Sequence, residues 1–216
     1  MKKNRAYAVF GLGRYGMAVA RQLVDNGAEV IAIDNNQEIV NDAAAYLPIC
    51  KCADVTDAEV ISRLGIAELD TVIICMASNL EASVMAVTLC KEAGVKNVIA
   101  KCGSEMHQKI LLRVGADRVV FPENESGIRL AKNLLSSGFI DMISLSKDVS
   151  MIEIEVKDEW VGKNLIELNL RKKYGFNIVA IKKGEDVSVS INPELPIESE
   201  TTLIVIANTA KLGKLK

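Results

Sequence analysis

The chain has 216 residues and a formal net charge of -2, with 50% of its residues hydrophobic and 25% charged. That is material for one large domain, or a medium domain plus a small one, with a genuine core. The charge balance excludes a nucleic-acid or anionic-membrane surface, which needs clustered Lys and Arg. The longest apolar runs, such as Val72–Ala77, fall far short of the roughly 20 residues a membrane-spanning helix requires.

Taken in order, the N-terminal part alternates strand and helix. Met1-Lys2-Lys3-Asn4-Arg5 is basic, but the apolar run Ala6–Phe10 that follows is too short for a signal h-region, so a cytosolic protein is expected. Ala6–Phe10 reads as a strand, and Tyr15–Asn26 as a helix with Val19, Leu23 and Val24 on one side, stopped by Gly27. Then come a strand at Glu29–Ile33, a helix around Gln37–Tyr46, a strand at Ile49–Cys52 and a helix at Ala58–Leu64. Strands at Thr71–Met76, Val98–Ala100 and Arg118–Phe121 alternate with helices at Leu80–Ala93 and Met106–Val114. Continuous apolar strands joined by helices predict an α/β, Rossmann-like doubly wound parallel sheet over residues 1–122. The five cysteines match no disulfide framework or zinc ribbon, and most are expected to behave as small buried hydrophobes.

Pro122 breaks this alternation. Ser126–Ser137 is amphipathic, carries Ile128, Leu130, Ala131, Leu134 and Leu135, has no evident place in the sheet and ends at Gly138; residues 123–140 therefore read as a connecting or docking helix. From about Asp141 the texture changes. Strand-like runs at Met142–Leu145, Met151–Val156, Ile178–Lys182, Val187–Val189 and Leu203–Ala207 surround one helix at Asn164–Lys173. Residues 141–216 thus form a small α+β domain, whose core is of a size often completed by dimerisation.

The chemistry-bearing feature is Gly11-Leu12-Gly13-Arg14-Tyr15-Gly16, directly after a strand and opening a helix. In that context Gly11 permits the tight turn, Gly13 admits phosphate to the backbone, and Gly16 lets helix and strand approach. The helix N-terminus offers free N–H groups to phosphate. Asp34, after the second strand, completes the fingerprint: its carboxylate accepts ribose hydroxyls and repels a 2′-phosphate, which disfavours NADP. The alternative makes Asp34 a helix cap.

Arg14 lies inside the turn, within reach of a terminal phosphate, or is a solvated surface arginine. Asp54 ends the third strand, where it faces an adenine edge or caps the helix starting near Thr56. Lys101 and Glu123 follow the fifth and sixth strands at the carboxyl edge where ligands gather, or are ordinary loop charges. No proton donor suited to a dehydrogenase, no metal cluster and no nucleophile–base pair suggests itself; the single histidine, His107, reads as structural or exposed. The chain is expected to be no enzyme, and bound nucleotide to be a signal. A small NAD-dependent oxidoreductase and a stand-alone nucleotide or redox sensor are the competing readings.

Tyr7–Gly16, Asp34, Gly115-Ala116-Asp117-Arg118-Val119-Val120-Phe121-Pro122-Glu123 and Tyr174-Gly175-Phe176-Asn177-Ile178-Val179-Ala180-Ile181 together resemble the regulator-of-potassium-conductance (RCK, or KTN) family, over nearly the whole chain. The branch it resembles comprises the cytosolic subunits of bacterial Ktr and Trk potassium uptake systems. The resemblance implies a regulatory subunit at the inner face of the cell membrane, without insertion into it. It implies dimers that assemble as an octameric ring beneath a separate integral-membrane potassium channel subunit, with the connecting helix crossing between protomers.

In that family ATP and ADP compete for the Rossmann site, and some members bind NAD(H). By resemblance, Gly11, Gly13, Tyr15, Gly16, Asp34, Asn35 and Asp54 belong to that site, Arg14 contacts the γ-phosphate, Lys101 lies near the phosphates, and Glu123 binds a divalent cation between subunits. The tail resembles the C-terminal RCK domain, where Leu165, Ile166, Arg171, Asn177 and Pro193 match cyclic di-AMP contacts. An alternative makes Leu165 and Ile166 dimer core only.

Overall fold

A computed structural model describes residues 5–135 and 139–208, which form two compact units, residues 1–123 and 124–216. In the first, six parallel strands alternate with helices: β1 (Ala6–Phe10), α1 (Arg14–Asp25), β2 (Glu29–Asp34), α2 (Gln37–Ala43), β3 (Cys50–Cys52), α3 (Ala58–Arg63), β4 (Thr71–Ile74), α4 (Leu80–Glu92), β5 (Val98–Lys101), α5 (Glu105–Arg113) and β6 (Arg118–Val120). Their order in the sheet is β3-β2-β1-β4-β5-β6. The order reverses between β1 and β4, and in such sheets ligands bind outside the carboxyl ends at that point.

Side-chain alternation explains why the sheet is covered on both sides. Ala8 and Phe10 of β1, Val72 and Ile74 of β4, and Val98 and Ala100 of β5 face one layer, packed with Ile61, Val87, Cys90 and Leu111 from α3, α4 and α5. Val9, Val30, Ala32 and Ile73 face the other, against Ala20 and Ala43 of α1 and α2. Every residue of β4 is buried, as a central parallel strand requires. Phe10 pairs with both Ile33 and Ile74, so β1, β2 and β4 end level and the loops after them open at one height.

The second unit holds β7 (Phe139–Ser144), β8 (Val149–Glu155), α7 (Leu165–Leu168), α8 (Leu170–Tyr174), β9 (Asn177–Lys183), β10 (Asp186–Ser188) and β11 (Thr201–Asn208). The strands form an antiparallel sheet in the order β10-β9-β11-β8-β7. One face carries its core: Ile152, Ile154, Leu203 and Val205 pack with Trp160, Leu168, Leu170 and Phe176. This is the α/β sheet with a small α+β unit that the alternation predicted.

Several boundaries differ for physical reasons. Pro122 does not break the pattern but opens α6 (Pro122–Leu135): at the first helical position its missing N–H costs nothing. Residues 139 and 140, expected in the connector, already lie in β7, and the expected end at Ser136–Gly138 falls outside the described residues. The single helix expected at Asn164–Lys173 is two, because Asn169 is left-handed (φ 47°), a conformation asparagine tolerates better than most residues. Asn164 and Glu167 form a reciprocal capping box that starts the first. Of the cysteines only Cys90 and Cys102 are fully buried; Cys50 and Cys75 are half-buried and Cys52 is exposed. Among the described residues no helix is long and apolar enough to cross a membrane.

The tightest constraint is at Gly16. A β-carbon there would stand 1.9 Å from the Gly11 carbonyl oxygen, backbone that cannot swing aside. Gly16→Ala is therefore expected to destabilise the first unit by at least about 2 kcal/mol through overpacking. Urea unfolding checks this; an unchanged midpoint would mean that α1 does not press on the turn.

Candidate functional site

A cleft of about 450 Å³ lies at the switch point. Its walls come from the loops after β1, β2, β3 and β4 and from the first turn of α4. Gly11 takes φ +86°, the left-handed region that the sharp turn out of β1 demands. The Gly11 N–H donates to the Ile33 carbonyl (2.8 Å), tying the turn to β2. Gly13 is extended, caps α1, and has nothing within 4 Å of where a β-carbon would sit. Fold therefore requires Gly11 and Gly16, whereas the open space at Gly13 leaves the backbone approachable from the cleft.

Asp34 is fixed by two backbone donors. Oδ2 accepts the Leu12 N–H at 2.7 Å and Oδ1 accepts the Asn36 N–H at 2.9 Å. The carboxylate thus locks the glycine turn and retains lone pairs that face the cleft it lines, alongside Asn35. The cap of α2 is Asn36, which accepts from Glu38. Asp54 also lines the cleft, but not at the end of β3, which stops at Cys52. It accepts from the Thr56 N–H (2.9 Å) and hydroxyl (2.7 Å), and these bonds hold its carboxyl below the usual carboxylate range. Asp57, not Asp54, caps α3.

Arg14, Tyr15, Lys101 and Glu123 make a second cluster, next to but not lining the cleft. Arg14 is the exposed first residue of α1 rather than part of the turn. Lys101 Nζ lies 2.5 Å from Glu123 Oε1 and 5.4 Å from the Tyr15 ring centroid. The hydrogen bond from Lys101, helped by the charges of Lys101 and Arg14, lowers the Glu123 pKa. Among the described residues no three His, Cys, Asp or Glu side chains gather as a cation would need. Glu123 offers one ligand, already paired, so one chain alone does not fit a divalent ion.

The loop after β4 is not singled out by sequence alone. Cys75, Met76, Ser78 and Asn79 line the cleft. The signal was available: any loop after a strand flanking the switch point contributes to the site. Burial pushes the Cys75 thiol up to about 12, so it is present as the neutral thiol. Asn79 caps α4 by accepting from Ala82.

In the second unit, Leu165, Ile166, Arg171 and Asn177 line one depression of about 450 Å³, with Asn169 and Phe176. Pro193 is not in its lining; its carbonyl accepts the Leu165 N–H at 3.1 Å and so holds the start of α7. Ile166 is exposed beside Arg171, an apolar face next to a guanidinium.

The TrkA-N domain family matches residues 7–122 and the TrkA-C domain family residues 149–216. Ktr system potassium uptake protein C of Bacillus subtilis is 36% identical over 216 residues, covering 100% of this chain and 97% of the relative. Ktr system potassium uptake protein A of the same organism is 34% identical, covering 99% and 96%. Among solved structures, the GsuK channel bound to NAD shares the fold with TM-score 0.52 at 21% identity, covering 98% of this chain but 38% of that one. The TrkA-N domain of the inner membrane protein ybaL from Escherichia coli aligns with TM-score 0.55 at 15% identity, covering 62% of this chain and 99% of that domain. The chain belongs to the RCK family, with the TrkA-N and TrkA-C domains of the Ktr and Trk potassium uptake proteins.

Proposed function

We propose that the chain is a cytosolic regulatory subunit that gates a Ktr-type potassium uptake channel in response to ATP and ADP. The observation that carries this reading is the cleft at the β1/β4 switch point, lined by the glycine turn, a twice-anchored Asp34 and the ionised Asp54. Two relatives of matching length are Ktr system potassium uptake proteins. The ionisable groups of the cleft favour binding over chemistry. The Cys75 thiol is held neutral by burial, which makes it a poor nucleophile, and Asp54 is held as the anion, which makes it a poor acid. NAD(H), whose adenosine half makes the same demands, is a further ligand of this cleft.

On this reading Arg14 and Lys101 read the outer phosphates, and a phosphate arriving at Lys101 competes with Glu123. A divalent cation at Glu123 needs ligands from a second copy, which fits an assembly of dimers into a ring beneath the membrane subunit. The depression at Leu165, Ile166, Arg171 and Asn177 offers apolar side chains for bases and a guanidinium for phosphate, and we assign it to cyclic di-AMP.

Asp34→Ala is expected to weaken ADP binding about tenfold or more, the cost of losing hydrogen bonds to a charged acceptor. Calorimetry on the full chain measures it, with far-ultraviolet circular dichroism unchanged; undiminished affinity removes the ribose from Asp34. Because a ligand moves an equilibrium only by its differential affinity, ATP and ADP should leave the assembly in measurably different shapes by small-angle scattering. Identical profiles would end the gating mechanism. Arg171→Ala should weaken cyclic di-AMP binding and leave ADP binding untouched; equal loss of both would merge the two sites into one.

A further inference from the structure

His107 is the chain's one histidine. It is buried (3% exposed) on the first turn of α5, and its partner Ser83 on α4 is fully buried. Its two ring nitrogens are both engaged. Nδ1 accepts the Gly103 N–H at 3.3 Å, so Nδ1 carries no proton and Nε2 does. Nε2 therefore donates to the Ser83 hydroxyl at 2.7 Å, and that hydroxyl donates in turn to the Leu80 carbonyl at 2.8 Å. The neutral tautomer satisfies every group in the chain, and the doubly protonated ring cannot: a second N–H on Nδ1 would meet the Gly103 N–H head on.

Both partners of the ring adjoin residues that line the nucleotide cleft. Ser83 follows Ala82, which lines it. Gly103 sits against the loop after β4, where an added β-carbon would stand 3.2 Å from the Ala77 carbonyl oxygen. Ala77 lies between Met76 and Ser78, and both line the cleft. His107 thus braces, from behind, the β4–α4 segment that forms one wall.

We propose that His107 is a positioning residue for the nucleotide cleft: its neutral ring holds the β4–α4 wall through Ser83 and Gly103, and protonating the ring weakens nucleotide binding. This rests on the nucleotide reading of the cleft. Charged side chains on neighbouring elements are Glu81, Lys91 and Glu92 of α4, Lys101 of β5 and Arg118 of β6. On α5 itself they are Glu105, Lys109 and Arg113. Lys91 is paired with Asp117 and Lys101 with Glu123. The ring's pKa is lowered by burial, not by any of these charges. The sign follows. A ring pKa depressed below 6.5 leaves the brace intact at neutral pH, and the brace is lost as pH falls through the folded-state value.

Linkage supplies a test that needs no variant. If the protonated ring binds ADP less tightly, then ADP must lower the ring's pKa by the same factor. With one histidine in the chain, histidine-selective NMR of the full-length protein follows a single ring. The expected result is a pKa lower by about one unit at saturating ADP than without it, a coupling of about tenfold. Equal pKa values with and without ADP overturn the proposal. Absence of any ADP binding at pH 8 instead overturns the nucleotide reading itself. A second arm compares ADP affinity of the native chain and His107→Gln at pH 8 and pH 5.5. The titration of ADP's own phosphate is common to both proteins and cancels in their ratio. That ratio should change by roughly two- to fivefold between the two pH values, short of the tenfold limit because a ring pKa below 6.5 leaves the free protein only partly protonated at pH 5.5, and a constant ratio means that His107 serves the fold alone.

Discussion

The contact on which the N-terminal unit depends is the pressing of Gly16 against the carbonyl of Gly11. No side chain fits between them. That approach brings the first turn of α1 directly over the end of β1 and fixes where its free N–H groups point. It also leaves no slack in the four residues between, so the Leu12 N–H is presented to Asp34 from the neighbouring strand. The carboxylate then closes a loop of constraints: β1 to turn, turn to β2, and β2 through Asn36 to the cap of α2. The wall formed by β1 and β2 is preorganised before any ligand arrives, so little ordering entropy remains to be lost on binding.

What was legible in the sequence follows from how local each constraint is. The glycine turn and Asp34 are read from spacing because their partners are neighbouring strands in a fold that spacing already identifies. The strands themselves are legible because burial on both faces leaves unbroken apolar runs, as at Thr71–Ile74. Pro122 misleads because the same residue ends one element or opens the next, and only the chain direction after β6 decides which. Asn169 misleads because the left-handed turn that splits α7 from α8 uses asparagine where glycine would have announced it. Asp54 and Asp57 illustrate a third limit. Either aspartate can cap a helix beginning near Thr56, and a shift of a few residues in its start exchanges their roles.

The loop after β4 was illegible for a different reason. Cys75, Met76 and Ser78 carry no signature of nucleotide chemistry; they line the cleft because β4 is the strand across the reversal of sheet order. Their contribution is shape, set by backbone position. Shape of this kind is maintained from behind, which is why Ser83 and His107, both buried and both polar, belong to the account of the site although neither lines it.

The cluster beside the cleft adds an electrostatic asymmetry to this preorganised geometry. Two cations, Arg14 and Lys101, stand near one anion, Glu123, at the positive end of α1. Glu123 is largely exposed and Lys101 largely covered, with side-chain exposures of 63% and 15%. The carboxylate is therefore the partner that water can take back at small cost, and the ammonium is the one that must keep a counter-charge. On the proposed reading a terminal phosphate supplies that counter-charge more fully than a single carboxylate, because it brings more negative charge and more acceptor oxygens. On that reading, exchange of one anion for the other at Lys101 leaves the Glu123 carboxylate unpaired at the start of α6. On the proposed reading the covered lysine therefore couples a phosphate at the edge of the cleft to the first turn of α6.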